Sequence, residues 1–127
     1  MTRKRIVTMG LALGGGLLCA GLWPTSAADE ELDVLKVGDA KLVLENTFVR
    51  VLEEESMPGD SQVKHKHPHS VIVALSDYQV EGFSFTENKP TLTRRKKGDV
   101  SWSEAVVHSV KNTGTTPQHV IRIELKY

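Results

Sequence analysis

The chain has 127 residues, of which 39% are hydrophobic and 25% charged, with 16 basic and 16 acidic side chains and one cysteine. This composition excludes a strongly basic nucleic-acid-binding protein and a domain held together by several disulfides. A chain of this length forms one compact domain and leaves no room for a second.

The first 28 residues have the three-part layout of a secretory signal peptide. Basic residues 3–5 precede an apolar, glycine-rich run over residues 6–22, and small residues follow up to Ala28. The apolar run of about 17 residues is at the short limit for a membrane span. We therefore expect cleavage after Ala28 and a periplasmic or secreted protein with no stable membrane anchor.

An uncleaved anchor is the alternative for this segment, whereas lipid attachment at Cys19 is disfavoured because Leu18 stands where a small residue is needed. Cleavage would leave 99 residues without cysteine, and 13 basic against 16 acidic side chains, a net charge of about −3. Nothing in this balance points to nucleic acid. The basic run at 94–97 is expected to lie on a solvated strand and turn.

From Lys41 onward, short β-prone runs alternate with turn residues. The runs are KLVLEN, TFVRVLEEE, VIVALS, VEGFSFT, TLTRRK, DVSW, AVVHSV and HVIRIEL. No long segment keeps a helical apolar period, so the pattern predicts an all-β sandwich or barrel of antiparallel strands. In the last run, Ile121, Ile123 and Leu125 oppose Arg122 and Glu124, which predicts a half-buried strand.

Residues 29–40 precede this β-rich region and form the predicted N-terminal arm. We expect residues 29–39 to be loosely attached, with a short helical turn within residues 30–37. The predicted organisation is thus a signal peptide at 1–28, an arm at 29–40 and a domain at 41–127.

Three of the five histidines lie in the segment KHKHPHS, residues 64–70. His65 and His67 are two positions apart and therefore face the same side of an extended strand. Neutral imidazole is a common ligand of transition metals, but a metal site usually needs at least three protein ligands. His108, in the segment GDVSWSEAVVHSVKN, is the candidate for the third.

These two segments resemble the two motifs of the cupin superfamily. The first motif has a glycine, a histidine pair of the form His-x-His and a glutamate, and the second runs from a glycine through a tight turn to a histidine and an asparagine. The matching residues are Gly59, His65 and His67 in the first motif and, with one residue deleted in the turn, Gly98, His108 and Asn112 in the second. The resemblance extends from about Leu42 to Tyr127. It implies an antiparallel cupin barrel, that is, a double-stranded β-helix or jelly roll.

The resemblance also implies that His65, His67 and His108 bind a divalent transition metal. The glutamate of the motif falls at Val71, which cannot bind a metal. Without that carboxylate, the choice among Zn, Fe, Mn, Ni and Cu stays open. His69 is the candidate for a substitute fourth ligand; the alternative is that it lies at the solvent-facing mouth. The other interpretation is that the barrel keeps its fold and binds no metal, and that the three histidines form the polar floor of a pocket.

Two classes of function follow from the resemblance. One is a metal-dependent enzyme, dioxygenase-like or related, that acts on a small organic molecule; Glu81 and Glu104 are acid or base candidates by residue type only. The other is a non-catalytic protein that binds a metal or small ligand, or serves as an assembly subunit, with a degenerate site. Fold alone does not decide between them.

Three further expectations concern packing and assembly. Asn112 or a backbone carbonyl should orient His108, because a ligating imidazole needs a partner for its second nitrogen. The resemblance also implies a homodimer, paired through edge strands, which need covering. The aromatic residues expected in the core or the pocket wall are Phe48, Phe83, Phe85 and Trp102.

Overall fold

A computed structural model describes residues 32–127, which contain ten strands and one short 3-10 helix. The predicted signal peptide, its cleavage site and Cys19 lie outside the described residues. Over residues 32–127, no helix has the length and apolar character needed to cross a bilayer.

The strands form two facing five-stranded sheets, which confirms the predicted all-β barrel. The first sheet has the order β1-β4-β9-β6-β7 and the second the order β2-β3-β10-β5-β8. Neighbouring strands are antiparallel except β1 and β4, which are parallel. The bounds are β1 Leu32–Asp33, the 3-10 helix Val34–Lys36, β2 Ala40–Glu45, β3 Val49–Ser56, β4 Ser61–His67, β5 Ser70–Ala74, β6 Tyr78–Ser84, β7 Lys89–Arg95, β8 Val100–Ser103, β9 Val106–Asn112 and β10 Gln118–Leu125.

The described part of the predicted N-terminal arm is fixed to the barrel, so the expectation of loose attachment is wrong there. Leu32 pairs with a residue of β4, and Val34 is 1% exposed. The carboxylate of Asp33 accepts a hydrogen bond from Arg50 at 2.9 Å and another from the backbone N–H of Leu35 at 2.9 Å. The second bond caps the 3-10 helix. The predicted helical turn is thus confirmed, and the described part of the arm, residues 32–40, belongs to the fold.

The inward face of β10 is polar, which the strand pattern alone did not indicate. Arg122 and Glu124 are 6% and 1% exposed, whereas Ile121 and Ile123 are only half-buried on the outer face. Buried charges are tolerated only when they are paired. Each of these two is paired, Arg122 with Glu54 and Glu124 with an arginine of β3. The alternation marked the strand correctly but did not identify its inner face.

The apolar core is small and lies beside these polar groups. Its buried members are Val34, Leu52, Ala74, Tyr78, Val80 and Val120, and the last four form one cluster against which Ile72 packs. Phe48 is 75% exposed and does not line the cavity, so its expected place in the core or the pocket wall is wrong, and Phe85 is 44% exposed. Trp102 does line the cavity, as expected. The basic run at 94–97 is exposed, as predicted, except for half-buried Arg95.

The two motif glycines sit in turns that need a left-handed backbone. Gly59 has a φ of 91° and Gly98 a φ of 94°, values that glycine adopts without a Cβ penalty. Gly59 also donates its N–H to the Asn112 carbonyl at 2.8 Å, which ties the turn before β4 to the end of β9. Both strands that carry the candidate histidines are therefore held together at this end.

Candidate metal centre

His65, His67 and His108 meet in the interior of the barrel. His65 and His67 come from β4, and His108 lies directly opposite His65 on the neighbouring strand β9. One nitrogen of each ring lies within 4.8 Å of the others. His65 and His67 are buried and His108 is half-buried. The predicted convergence is confirmed, whereas metal binding by these residues stays a prediction.

A β-bulge in β4 sets the orientation of His65. The pairing with β9 shifts between Gln62 and His65, so Gln62 faces inward at 8% exposure while Val63 is 61% exposed. The Nδ1–H of His65 donates to the Val63 carbonyl at 2.7 Å. Because Nδ1 carries the proton in this arrangement, Nε2 presents its lone pair to the other two rings.

A network of charged side chains sets the orientation of His67. Its Nδ1 lies 2.9 Å from a carboxylate oxygen of Glu124 and donates to it. The other oxygen of Glu124 accepts from Arg50 Nε at 2.8 Å, and Arg50 also contacts Asp33 at 2.9 Å. The Nε2 of His67 is therefore left as an acceptor. Glu124 was not predicted from the sequence, because alternation places it on one face of β10 with Arg122 but only the pairing of this strand shows that the face is inside.

His108 completes the cluster through its Nε2, which lies 3.1 Å from the Nε2 of His65. Two nitrogens bound to one ion at about 2.0–2.2 Å each can have this separation. Asn112 does not orient His108, so the Asn112 half of that expectation is wrong. Its side-chain amide donates to the carbonyls of Ser56 at 3.1 Å and Thr116 at 3.0 Å, and thus fastens the loop after β9.

The three imidazoles are held in their neutral form. Burial lowers the pKa of His67 to about 2, with a further contribution from the Arg122 guanidinium. Burial also lowers the pKa of His108 to about 2, with contributions from the other two histidines. The pKa of His65 is lowered by burial as well. Neutral imidazole is the form that binds a metal ion.

The proposed fourth ligand lies apart from the trio. His69 contacts Glu104 at 3.2 Å and stacks on Trp102, with ring centroids 5.7 Å apart. Its side chain is 42% exposed, which is the mouth position considered as the alternative. His119 lies elsewhere again, 2.6 Å from Glu53. Among the described residues, only the trio satisfies the geometry of a metal-binding group.

The position of the motif glutamate carries no oxygen ligand. Val71 pairs with Ile123 and Trp102 and does not line the interior cavity, whereas the next residue, Ile72, does. Strand β5 therefore offers the cavity the apolar side chain of Ile72 and no carboxylate.

A cavity of about 270 Å³ lies between the sheets and is lined by His67 and His108. Buried Glu54 and Arg122 line the same cavity, and Arg122 Nε donates to Glu54 at 2.7 Å. Arg122 also donates to the Ser70 hydroxyl at 3.1 Å. Further polar lining comes from Gln62, Tyr78, Thr91, Thr93, Arg95, Ser101 and Gln118.

The acid or base candidate that faces the cavity was not identified from sequence. Glu81 is exposed on β6 and does not line the cavity; Glu104 lines it but is itself exposed. Glu54 lines it and is only 5% exposed. Glu54 is the middle one of three glutamates at 53–55, so strand alternation places it on the opposite side of β3 from its two neighbours. Only the long-range pairing with β10 shows that this side faces inward.

No family model and no curated protein matches the chain. Solved structures do match it. A cupin domain from Bordetella pertussis is 21% identical, with a TM-score of 0.62 over 77% of this chain and 98% of that chain. A double-stranded β-helix protein from Klebsiella pneumoniae is 20% identical, with a TM-score of 0.53 over 76% and 90% of the two chains.

A third match is an RmlC-like cupin family protein from Methanocaldococcus jannaschii. It is 11% identical, with a TM-score of 0.54 over 76% of this chain and 83% of that chain. At such identities a structural likeness establishes the fold and not the function. The two-sheet topology and these matches agree with the resemblance seen in the sequence. Residues 32–127 therefore have the fold of a small cupin domain.

Proposed function

We propose that the protein binds a divalent transition metal ion through His65, His67 and His108 and holds a small organic molecule in the adjoining cavity. The observation that carries this proposal is the approach of one nitrogen from each ring to within 4.8 Å of the others. Two of the rings donate Nδ1–H to fixed acceptors, which favours Nε2 as the ligand atom. Three neutral imidazoles are a suitable donor set for Zn, Cu, Ni or Fe, whereas Mn prefers oxygen ligands.

The cavity supports an enzymatic role for this centre. A bound ion would supply a Lewis acid or redox centre. Glu54, which lines the cavity beside His67 and His108, is the chain's own group that can accept or return a proton of the bound molecule. Arg122 fixes the orientation of this carboxylate by its 2.7 Å hydrogen bond.

Metal analysis of untagged protein tests the binding proposal. We expect about one equivalent of divalent ion per chain, and the loss of most of it when His65, His67 or His108 is replaced by alanine. His119→Ala is the matched control, because its ring contacts Glu53 and lies outside the trio. Wild-type protein that binds no divalent ion tightly would refute the proposal. His69→Ala should also keep its metal, because the His69 ring contacts Glu104 and lies outside the trio.

Small molecules that copurify with the protein separate an enzyme from a binding protein. Glu54→Gln keeps the shape of the side chain but cannot take up a proton, so it should retain a substrate that the wild-type protein converts. Mass spectrometry of the extracted ligand would then find in the variant a molecule that is absent from the wild type. The same molecule in both proteins would favour the non-catalytic alternative.

We further propose that the protein is exported, on the basis of the signal-like layout of residues 1–28. N-terminal sequencing of protein recovered from the periplasm or the medium should give a start close to Asp29. Recovery of a chain that begins at Met1 would contradict this proposal.

A further inference from the structure

The edge strand β7 turns three polar side chains toward the cavity. Thr91, Thr93 and Arg95 occupy alternate positions of this strand, are half-buried and all line the cavity. Side chains two positions apart on a strand share one face. Because β7 is the outermost strand of the first sheet, this row forms the wall of the cavity at the edge of the barrel. The wall offers two hydroxyl groups and a guanidinium to a molecule inside.

Arg95 differs from the other arginines of the barrel interior in having no carboxylate partner. Arg50 and Arg122 form ion pairs with carboxylates at 2.6 Å and 2.7 Å. Among residues 32–127, no carboxylate forms an ion pair with Arg95. Its Nη1 donates to the carbonyl of Arg94 at 2.9 Å, which uses one of the five N–H groups of a guanidinium. The other donors are available to a ligand.

The exposed acidic residues that line the cavity lie at its other end, near the trio. The N–H of Glu87 donates to the Ser84 hydroxyl at 3.0 Å, and Ser84 pairs with His108. Glu104 contacts His69, two positions after a member of the trio, at 3.2 Å. Arg95 instead pairs with the first residue of β6, six positions and thus about 20 Å along the strand from Ser84. The charge of the lining therefore changes sign along the cavity.

The surroundings of Arg95 add to the positive charge at its end of the cavity. Arg95 belongs to the basic run at 94–97, whose other three members are exposed. Asp77 and Asp99 lie beside this run and accept the backbone N–H groups of two of its lysines at 2.8 Å each. Four basic and two acidic side chains leave a formal excess of two positive charges. Such a local excess attracts anions to the cavity.

We propose that the cavity binds a small organic molecule through a carboxylate group, which Arg95 holds with its paired N–H donors. This inference rests on the proposed function, in which the cavity holds a small organic molecule, and it names the chemical class of that molecule. The planar guanidinium matches the two oxygens of a carboxylate. Its single charge balances one carboxylate, whereas a phosphate carries about −1.5 to −2. The cavity of about 270 Å³ has room for about nine groups of the size of a water molecule, at about 30 Å³ each.

NMR titration of the untagged full chain with benzoate and benzamide tests this inference. The two probes have nearly the same shape, but only benzoate carries a carboxylate. We expect benzoate to bind about 10-fold or more tightly than benzamide and to shift the Nε–H signal of Arg95, in protein as purified and after chelation of its metal. Equal binding of the two probes, or no binding of benzoate, would overturn the proposal. Phenyl phosphate that binds through Arg95 more tightly than benzoate would overturn the choice of a carboxylate.

Arg95→Gln should weaken benzoate binding about 10-fold or more and leave benzamide binding unchanged. Arg94→Gln is the matched control, because this neighbour has the same charge, is exposed, donates to Gln79 at 2.8 Å and does not line the cavity. Its affinity for benzoate should stay within about twofold of the wild type. Equal losses in the two variants would show that net charge and not a site attracts the probe, and would overturn the proposal.

Circular dichroism verifies that both variants are folded. If Arg95→Gln does not fold, Arg95→Lys takes its place: it keeps the charge, loses the paired donors and should bind benzoate several-fold more weakly. Unchanged affinity in this variant would refute the role of the guanidinium.

The same protein separates this inference from the metal proposal. A protein that binds a divalent ion through the trio but does not distinguish benzoate from benzamide would refute the carboxylate site alone. A protein that binds benzoate through Arg95 and no divalent ion would support the carboxylate site and refute the metal centre. His108→Ala should lose its metal and, after chelation, bind benzoate as the wild type does, because His108 lies at the opposite end of the cavity from Arg95.

Discussion

Glu124→Gln is the most direct test of how the chain orients the histidines of the proposed metal centre. Glu124 is 1% exposed, accepts from Arg50 through one oxygen and from His67 Nδ1 through the other. Glutamine has the same shape but only one acceptor oxygen. Because the guanidinium of Arg50 can only donate, it keeps that oxygen, and the amide NH₂ group then faces His67. His67 must present a lone pair at Nδ1 and carry its proton on Nε2, where the metal would bind.

The expected loss of metal affinity follows from this tautomer change. A hydrogen bond to a buried charged group contributes about 1.5–3 kcal/mol, which corresponds to about a 10- to 150-fold change in a dissociation constant. Removal of such an outer partner typically weakens metal binding by about 10- to 100-fold. We therefore expect Zn²⁺ to bind Glu124→Gln about 10- to 100-fold more weakly than the wild type.

Competition titration with a chromophoric chelator measures this difference on untagged protein. Glu53→Gln is the control, because Glu53 makes the same kind of contact to His119 at 2.6 Å outside the trio. Its affinity should stay within about twofold of the wild type, since no ligand loses a partner. Nitrogen NMR of the metal-free protein should show the proton of His67 on Nδ1 in the wild type and on Nε2 in Glu124→Gln. Equal affinities in folded proteins, or an Nε2–H tautomer in the wild type, would refute the reasoning.

Three further predictions concern stability. Gly82→Ala should destabilise the fold by roughly 3 kcal/mol or more, because its Cβ would lie too close to the Ser109 carbonyl oxygen. Urea unfolding measures the effect, and Gly114→Ala, whose Cβ would approach no atom closer than 3.3 Å, should destabilise the fold less. Burial acts to raise the pKa of Asp33, but hydrogen bonds from Leu35 and Arg50 hold it below its usual value. The stability that Asp33 adds over Asp33→Asn should therefore be complete above about pH 4 and shrink as pH falls through the lowered pKa; a gap that widens in acid would contradict this. Chelation of a metal present at about 1,000 times its dissociation constant should remove about 4 kcal/mol of stability, with no effect of the chelator on the metal-site alanine variants.

The elements of this fold were predictable because their signals are local. Alternating apolar residues and turn glycines marked the strands, and the left-handed backbone at Gly59 and Gly98 explains why glycine stands at both positions. The convergence of the trio was also predictable, since His65 and His67 share a strand face and the second motif supplied His108. These inferences need only the sequence within one strand and the strand arrangement that the cupin resemblance implies.

The supporting residues were not predictable because their signals are not local. Arg50 and Glu124 are 74 positions apart in the chain, and Glu54 and Arg122 are 68 apart. Alternation alone gives each strand two faces and does not say which one is inside. The bulge that points Gln62 inward is likewise visible only in the pairing of β4 with β9. Side chains that orient the candidate ligands thus depend on strand pairing rather than on motif spacing.

The charges around the trio show how this barrel can accept a metal without a carboxylate ligand on β5. Asp33, Glu54 and Glu124 lie on three other strands and are paired with Arg50 and Arg122. At formal charges, these five groups leave one uncompensated negative charge near three neutral imidazoles. A divalent ion would carry two positive charges, so the protein would offset part of them through residues that do not touch the ion. Because the compensation comes from outside the ligand set, the loss of the glutamate at Val71 does not by itself remove the electrostatic basis for metal binding.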